Sequence, residues 1–415
     1  MKIYKIREKC AVCDNTELKS IMEYGMVPLA GDFPSKTELL NDRKFNLNVE
    51  FCDKCSLLQT DSVIDADILF KDYRYMSSIG LSGHFKSVAE MIKEKFNPKK
   101  VLEIGSNDGV LLKPLQDLGI DCVGVEPAIN ISQVAKDKGC NVINDYFNEE
   151  AVEKYNLDSK FDLAVSNNCF AHIDDIKSIV KGVKKSLKPN GKFMVEVHYV
   201  KNLIEQLQYD NIYHEHLYYY SLNALNNLFS QFDMTIIGFE EIPIHAGSIR
   251  VIVENDKIDC PLNVSKRLKE EEKWGLTSID WLEDFGDKVR NHISTIKNTL
   301  TELKSKGHKI CGYGASGRAN MICNLAEITP DIVEYIVDES PERAGRFIAG
   351  THVPIVDKSH LDGDEEKPTY IIIFAWNFSK MIIEKLKGNG YKYIIAFPTM
   401  NIVESYEELE NFTSI

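Results

Sequence analysis

Short apolar runs alternate with helical patterns through the middle of the chain. Helical patterns cover Ser82 to about Phe96, the region Ala128 to Lys138, Ile176 to Leu187 and Leu222 to Phe232. The apolar runs that accompany these helices have the length and composition of buried strands, and they are VLEI, DCVGVEP, FDLAVSNN and, after a KPNG turn, KFMVEVHYV. Strands that alternate with helices predict a parallel, doubly wound sheet.

The remaining elements extend this sheet and begin a second one. MTIIGFEEI and SIRVIVEN are joined by the short connection IPIHAG, so we expect them to pair as an antiparallel edge. Residues 261–306 are predicted to be helical, and their charge run is most simply a solvated helix face. A second α/β unit follows, in which HKICGYGASGRAN predicts a strand, a turn and a helix, and YIIIFAW and YKYIIAFP predict buried strands.

The composition and net charge of the chain limit which classes of molecule it is expected to bind. The 415 residues are enough for two or three domains, and 44% apolar with 27% charged residues is ordinary for a globular protein. The net charge of −14 makes nucleic acid an unfavourable partner, although a local positive pocket can still hold a small anion. No signal peptide and no apolar run of the ~18 residues needed to span a bilayer is found. We therefore expect a cytoplasmic protein without membrane or nucleic-acid partners.

Four of the ten cysteines are distinguished by their spacing, Cys10-x-x-Cys13 and Cys52-x-x-Cys55. Each pair can offer two thiolates to one ion, and two such pairs complete a tetrahedron around Zn²⁺. Four protein ligands leave no open coordination position, so this zinc is expected to be structural. The other cysteines are scattered, and we expect them to be packed thiols.

LEIGSNDG follows a predicted strand and opens a helix, an arrangement that points backbone N–H groups at a ligand. Gly105 permits close approach of the ligand and Gly109 permits helix packing, while Glu126 ends the next strand, where a carboxylate can accept ribose hydroxyls. This geometry suits NAD or S-adenosylmethionine. Asn107 stands where a pyrophosphate needs glycine, and Asp108 would repel a diphosphate but tolerates a sulfonium. These features, and the antiparallel edge, favour S-adenosylmethionine.

Further polar residues lie at the same predicted edge of the sheet, since they follow later strands. Asp145 (or Asn144) and Asn167 are each candidates to reach the adenine or methionine part of the cofactor. The predicted cofactor-binding residues are Glu103, Gly105, Asn107, Asp108, Gly109, Glu126, Asn144, Asp145 and Asn167.

Four motifs in order, the paired CxxC, EIGSNDG, YHEH and GYGASGRAN, give the chain a family resemblance. The chain resembles the C-methyltransferases that act on C3 of nucleotide-linked 4-keto-6-deoxy sugars. GMVPLAGDF, YRYMSS, NNCFAHIDD, HAGSIR, AGTHVPI and FAWNF extend the likeness over essentially the whole chain. It implies an α/β fold in which a Rossmann-like class I S-adenosylmethionine methyltransferase core carries a small N-terminal zinc lobe and a second Rossmann-like domain.

The predicted domain boundaries follow from this organisation. Residues 1–70 would form the zinc-binding lobe, 71–260 the methyltransferase domain, 261–306 a helical connector and 307–415 a C-terminal domain that binds the nucleotide sugar. The implied substrate is a nucleotide-diphosphate keto sugar, and we expect a monomer or a weak homo-oligomer.

The resemblance also assigns catalytic roles within NIYHEHLYYYS. It implies that His216 is the base that removes the C3 hydrogen, and that Tyr213, Glu215 and Tyr75 assist it. A neutral imidazole with a pKa near ~6.5 is suited to accept a proton at neutral pH. In an extended segment His214 and His216 would share a side and Glu215 would oppose them, so contact between Glu215 and His216 requires a turn. The sequence leaves both conformations open.

Substrate-binding residues are implied in two regions. Ser78, His198, His245 and Ser248 are expected to border the sugar. In the second glycine-rich turn, Tyr313, Arg318 and Asn320 are expected to close over the nucleotide diphosphate. Relatives tend to show Pro-Ala-Lys-Gly where this chain has Ser-Gly-Arg-Ala at residues 316–319, and an arginine there keeps the cation and adds bidentate reach to phosphate.

Two other functions remain open at this point. Gly312, Gly314 and Gly317 satisfy GxGxxG, with Asp338 some twenty residues later, which is the pattern of an NAD-dependent nucleotide-sugar oxidoreductase. An RNA methyltransferase with a zinc-ribbon reader is the second alternative, and the acidic charge argues against it.

Overall fold

The computed structural model describes residues 3–71, 73, 76–364 and 366–413. The chain divides into two compact units, each built from separated segments. Unit 1 comprises Met1–Lys19, Glu50–Lys201 and Leu217–Trp281, and unit 2 comprises Ser20–Val49, Asn202–His216 and Leu282–Ile415. The described helices include none that is both long and apolar enough to cross a membrane.

The strands of the described residues are, in chain order, β1 Tyr4–Ile6, β2 Lys19–Pro28, β3 Lys44–Cys52, β4 Leu57–Thr60, β5 Ser62–Ile64, β6 Lys100–Ile104, β7 Asp121–Val125, β8 Val142–Ile143, β9 Phe161–Asn167, β10 Leu187–His198, β11 Tyr218–Tyr219, β12 Thr235–Ile242, β13 Ser248–Glu254, β14 Ile310–Tyr313, β15 Ile336–Val337, β16 Ile355–Val356, β17 Tyr370–Ile373, β18 Lys392–Ile395 and β19 Asn401–Val403. The α-helices are α1 Ala66–Phe70, α2 Ser78–Lys95, α3 Leu112–Asp117, α4 Ile129–Asp137, α5 Glu149–Lys154, α6 Ile176–Ser186, α7 Val200–Glu205, α8 Leu222–Ser230, α9 Leu262–Lys273, α10 Phe285–Ser305, α11 Gly317–Leu325, α12 Lys358–Gly363, α13 Ser379–Leu386 and α14 Tyr406–Thr413.

Unit 1 is built on a seven-stranded sheet in the order β12-β13-β10-β9-β6-β7-β8. The strands from β10 to β8 run parallel, and β13 pairs antiparallel with both β10 and β12. The predicted doubly wound sheet with an antiparallel edge is confirmed. The KPNG segment differs from the prediction, because it lies inside β10, where the pairing with β9 shifts register between Leu187 and Lys192.

The sheet of unit 1 buries side chains on both faces. One cluster joins α2 and α3 to the sheet through residues such as Phe85, Val88 and Leu115. The other runs continuously from sheet residues such as Val195 to Cys10, Cys52 and other residues of the N-terminal lobe. The part of the N-terminal lobe that carries the four cysteines therefore shares a core with the sheet.

Unit 2 contains a six-stranded sheet in the order β16-β15-β14-β17-β18-β19, parallel except for β19. The strands predicted from HKICGY, YIIIFAW and YKYIIAFP are β14, β17 and β18. Of the two long helices in residues 261–306, α9 belongs to unit 1 and α10 to unit 2.

Candidate functional site

The four predicted metal ligands come together in unit 1. The Sγ atoms of Cys10, Cys13, Cys52 and Cys55 all lie within 4.8 Å of one another, with Cys10 and Cys55 3.4 Å apart and Cys13 and Cys52 3.5 Å apart. Each pair turns back on itself, since Cys10 and Cys52 accept backbone hydrogen bonds from Asp14 and Ser56. Zn–S bonds of about 2.3 Å in a tetrahedron put sulfur atoms roughly 3.8 Å apart, so the cluster fits one zinc ion.

The first glycine-rich turn depends on its glycine for a packing reason. Gly105 has φ of +70°, and a Cβ there would lie 2.4 Å from the Sγ of Cys169. Beyond it, the backbone N–H groups of Asn107 and Ala128 each donate to one oxygen of Glu126 at 2.9 Å. The turn and the end of β7 are thereby held together, which sets the Glu126 carboxylate beside the N–H groups of the turn.

Three acidic side chains are buried around this turn. Burial raises the pKa of Glu103, and the nearby charges of Glu126 and Asp108 raise it further. Burial also raises the pKa of Glu126, although the N–H groups of Ala128 and Asn107 oppose this. Within the described residues, Glu103 Oε2 has no hydrogen-bond partner. Carboxylates of this kind suit S-adenosylmethionine, whose sulfonium and ammonium groups are both positive.

The side chains of the other predicted cofactor residues differ in how many hydrogen bonds they make within the protein. Asp108 bonds Lys138 at 2.9 Å, and Asn144 donates to the carbonyls of Glu126 and Pro127. Asp145 accepts from Lys154 and Tyr155, each at 2.7 Å. Asn167 is buried at the end of β9, and neither atom of its amide has a partner in the described part of the chain. Asn167 is therefore best placed to bond a ligand.

An ion pair that the sequence did not predict lies beside Asn167. Glu196 on β10 is fully buried and accepts from Arg250 Nη2 at 2.8 Å and from Asn168 Nδ2 at 2.8 Å. His84 Nε2 lies 3.3 Å from the same carboxylate. One feature of the sequence could have indicated this ion pair, namely the glutamate inside the apolar run KFMVEVHYV. A charge in a buried strand requires a partner.

Three of the residues predicted to border the sugar, His198, His245 and Ser248, lie together at the end of β10. The rings of His198 and His245 are 5.5 Å apart, and His198 pairs in register with Ser248 on β13. Ser248 donates its hydroxyl to the Ile244 carbonyl at 3.1 Å. Ser78 begins α2. Tyr75, the remaining predicted residue of this region, lies outside the described residues.

The YHEH segment belongs to unit 2 and forms a turn rather than an extended strand. The N–H of His216 donates to the carbonyl of Tyr213 at 2.9 Å, so the alternation of sides expected for a strand does not apply. We call residues 213–216 the histidine turn. His214 is fully buried, and its Nε2–H donates to the Asn46 carbonyl at 3.1 Å. This position gives His214 a structural role.

The hydrogen bonds of the histidine turn fix the tautomer of His216. Its Nδ1 lies 2.8 Å from the Asn211 carbonyl, which can only accept, so Nδ1 carries the proton of the neutral ring. The lone pair therefore lies on Nε2, the atom that can act as a base. The ring is 5% exposed, and the Tyr213 ring lies 4.1 Å away, centroid to centroid.

Glu215 is held by a loop of unit 2. The N–H of Gly31 donates to Glu215 Oε1 at 3.0 Å. Burial raises the pKa of Glu215 to about 7, and the charge of Asp32 adds to this while the Gly31 N–H opposes it. Glu215 is thus poised to change its protonation state near neutral pH.

The residues predicted to bind the diphosphate have protein partners. The guanidinium of Arg318 lies over the Trp376 ring, 5.1 Å from its centroid, and 3.9 Å from Asp210. Asn320 donates to the carbonyls of Leu29 and Asp32, at 3.4 and 3.3 Å. The hydroxyl of Tyr313 donates to Glu339.

Asp338, the acidic residue of the NAD pattern, has partners of its own. It accepts from Arg343 at 3.0 Å and from the Ser340 N–H at 2.8 Å. The carboxylate that a dinucleotide-binding domain would offer to a ribose is therefore used within the protein.

Three domain families match successive parts of the chain. A family described as "Putative zinc binding domain" matches residues 10–70, "Methyltransferase domain" matches 72–237, and "C-methyltransferase C-terminal domain" matches 243–398. Nothing in these matches supports the oxidoreductase alternative. They confirm the class I methyltransferase fold, S-adenosylmethionine as cofactor and the zinc-binding lobe.

The chain is also similar to individual proteins. The C-methyltransferase NovU of Streptomyces niveus is 28% identical over 97% of this chain and 98% of its own length. A ubiquinone biosynthesis O-methyltransferase of Bartonella tribocorum is 32% identical, but over 24% of this chain and 41% of its own. Among solved structures, the PH0226 protein of Pyrococcus horikoshii aligns with a TM-score of 0.38 and 15% identity, covering 46% of this chain and 97% of that one.

Proposed function

We propose that the substrate is a nucleotide-linked 4-keto-6-deoxy sugar. The chain matches a zinc-binding, a methyltransferase and a C-methyltransferase C-terminal domain, and it is similar to a C-methyltransferase over nearly its whole length. The methyl group is transferred to C3 of that sugar. The enzyme class, a methyltransferase dependent on S-adenosylmethionine, follows from the matched domains, and the acceptor is the proposed part.

His216 is the proposed base, and the observation that carries this assignment is its tautomer. The Asn211 carbonyl holds the proton on Nδ1, so the lone pair of the neutral ring lies on Nε2, the atom that can act as a base. The C4 ketone of the sugar acidifies the C3–H bond. Nε2 of His216 takes that proton, and the electron pair of the C–H bond forms an enolate.

S-adenosylmethionine, when bound, supplies a methyl group made electrophilic by its sulfonium. C3 of the enolate forms the new C–C bond as the C–S bond breaks, and the ketone at C4 is restored. The proton held by His216 is released to solvent, so the imidazole returns to its neutral form. Tyr213, whose ring faces that of His216, is proposed to donate a hydrogen bond to the enolate oxygen.

The proposed cofactor contacts are made by three polar residues of unit 1: Glu126, Asn167 and Glu103. Glu126 would accept the ribose hydroxyls, and Asn167 would bond the methionine or adenine part. The positive charge of the bound cofactor would lower the raised pKa of Glu103, so that this side chain would ionise and contribute negative charge beside the cofactor. The zinc ion would be held by the four thiolates alone, and it would stabilise the lobe without a part in the reaction.

Mass spectrometry of the products tests the proposed acceptor. The protein is incubated with S-adenosylmethionine and a panel of nucleotide-linked 4-ketohexoses, with the corresponding 4-hydroxy sugars as matched controls. We expect a methyl group at C3 of a keto sugar and none on the hydroxy sugars, which cannot form the enolate. Methylation of an oxygen atom, or of the controls, would refute the proposal.

A further inference from the structure

We propose that the second glycine-rich turn and the first turn of α11 support the histidine turn, with Arg318 and Asn320 acting as positioning residues. These two residues would then not bind the diphosphate, which is the role predicted for them from the sequence. This inference rests on the role proposed above for His216. All the contacts that carry it lie within unit 2.

The first support is a buried charge pair. Asp210 is fully buried, and it accepts the indole N–H of Trp376 at 2.8 Å. The Arg318 guanidinium is the cation nearest to this carboxylate among the described ion pairs, at 3.9 Å. A buried carboxylate that loses its cation is left uncompensated, and such a loss is costly. If Arg318 turned to a ligand, Asp210 would lose this cation.

Asp210 is one residue from the atom that orients the base. Residues Tyr209–Asn211 form a 3-10 turn that is buried throughout, and its last carbonyl accepts the Nδ1–H of His216. The Tyr209 hydroxyl bonds His292 Nδ1 at 3.1 Å, and Tyr24 donates to the Tyr209 carbonyl at 3.2 Å. The position of the Asn211 carbonyl thus depends on how this short turn is anchored.

The second support reaches Glu215. Asn320 is fully buried, and its amide donates to the carbonyls of Leu29 and Asp32, which flank Gly31. Asn324 donates to the side-chain oxygen of Asn320 at 2.8 Å, so both ends of that amide are used. Gly31 in turn donates its N–H to Glu215. The first turn of α11 therefore supports both functional groups of the histidine turn. Arg318 acts on the imidazole of His216, and Asn320, two residues later, acts on the carboxylate of Glu215.

The same contacts leave little of the Arg318 side chain accessible to a phosphate. The Arg318 side chain is 11% exposed, and its planar face is covered by Trp376. The N-cap residue Ser316 already accepts the N–H of Ala319 at the start of the helix. Diphosphate recognition usually uses exposed cations, whereas the Arg318 side chain is mostly enclosed by the protein.

Three variants test this inference: Arg318→Met, Arg318→Lys, and Arg318→Met combined with Asp210→Asn. The keto sugar accepted in the panel above serves as substrate. We expect Arg318→Met to lower kcat by about 10- to 100-fold through misplacement of His216, with KM for the sugar changed by less than about threefold. Arg318→Lys should retain most of the activity. Asp210→Asn should recover part of the kcat lost in Arg318→Met, because it removes the uncompensated charge and keeps an acceptor for Trp376.

Two further measurements distinguish positioning from phosphate binding. Nitrogen NMR of histidine-labelled protein, with His216 assigned from His216→Gln, should show the Nδ1–H signal altered in Arg318→Met and restored in the double variant. Titration calorimetry with dTDP, GDP and CDP should give the same affinity for Arg318→Met and the wild type. A tenfold or larger loss of diphosphate affinity or rise in KM, with the His216 signal unchanged, would overturn the inference.

The inference and the proposed function fail in different ways. An unchanged His216 spectrum in Arg318→Met would end the positioning role, whatever His216 does in the reaction. A fully active His216→Asn enzyme would end the proposed base, even if Arg318→Met altered the spectrum.

Discussion

Gly31 donates its backbone N–H to Glu215 at 3.0 Å, and the glutamate oxygen occupies the space next to the glycine Cα. A Cβ on Gly31 would lie 2.5 Å from Glu215 Oε1, closer than two such atoms can approach. The carboxylate is already buried, so it has little room to move away. The glycine of GMVPLAGDF is therefore matched to the glutamate of YHEH.

Gly31→Ala tests this close approach. We expect the added methyl to push Glu215 aside and to lower kcat by roughly 10- to 100-fold, since small displacements at a catalytic group have effects of this size. The matched control is Gly363→Ala in α12, where a Cβ would meet nothing within 4 Å. Methyl-transfer assays on both variants decide the question, and equal activity would show that Glu215 tolerates displacement.

The pKa of Glu215 predicts a pH-dependent stability. Burial raises this pKa to about 7, whereas a carboxyl in the unfolded chain titrates near ~4.3. The folded state therefore holds a proton that the unfolded state releases, and stability falls as pH rises from about 4 to about 7, by an amount on the order of 3 kcal/mol.

Glu215→Gln removes this titration and keeps an acceptor for the Gly31 N–H. We expect the free energy of unfolding of the variant, relative to that of the wild type, to increase between pH 5 and pH 8. Chemical denaturation of both proteins across this range measures the difference. A difference that is constant with pH would show that Glu215 is ionised in both states.

Removal of zinc should affect more than the N-terminal lobe. Cys10 and Cys52 share a continuous core with sheet residues such as Val195, so loss of the metal exposes part of the same cluster. Structural zinc contributes roughly 10–16 kcal/mol of apparent binding energy in small peptides. We expect chelation to lower the melting temperature of unit 1 and weaken S-adenosylhomocysteine binding.

Two cysteine variants, one inside the cluster and one outside it, provide the control for this prediction. Cys10→Ser should lose the metal, whereas Cys260→Ser, at an exposed position outside the cluster, should keep one zinc per chain. Metal analysis of the purified variants measures this directly. Wild-type protein that contains no zinc would contradict the assignment.

Asn167 and Asp145 should differ in their effect on cofactor binding. Asn167→Ala removes an amide whose atoms have no partner in the described chain, and we expect S-adenosylhomocysteine to bind about 10- to 100-fold more weakly. Asp145→Asn changes a carboxylate already bonded to Lys154 and Tyr155, so its effect should stay within about threefold. Titration calorimetry compares the two, and the opposite ranking would show that Asp145 contacts the ligand.

The sequence predicted what depends on local patterns. The alternation of apolar runs and helices gave the parallel sheet, and the spacing of Cys10, Cys13, Cys52 and Cys55 gave the metal cluster. Each of these signals is contained in a short stretch of chain or in a repeated spacing. Such signals are the ones that elementary propensity and ligand geometry can read.

The rest depends on contacts between distant segments. Nothing near Asp210 in sequence indicates that Arg318 and Trp376 compensate it, because they are more than a hundred residues away. The turn at His216 likewise depends on the Asn211 carbonyl and on the loop around Gly31. Motifs indicate which residues carry the chemistry, but the groups that orient them come from tertiary structure.

The exchange of the C3 hydrogen tests the central claim, that Nε2 of His216 removes it. The keto sugar is incubated in D₂O with S-adenosylhomocysteine in place of the methyl donor, and deuterium at C3 is followed by NMR. We expect exchange by the wild type and a rate about 10²- to 10⁴-fold lower in His216→Asn, with unchanged S-adenosylhomocysteine affinity. Exchange by His216→Asn at the wild-type rate would contradict this claim.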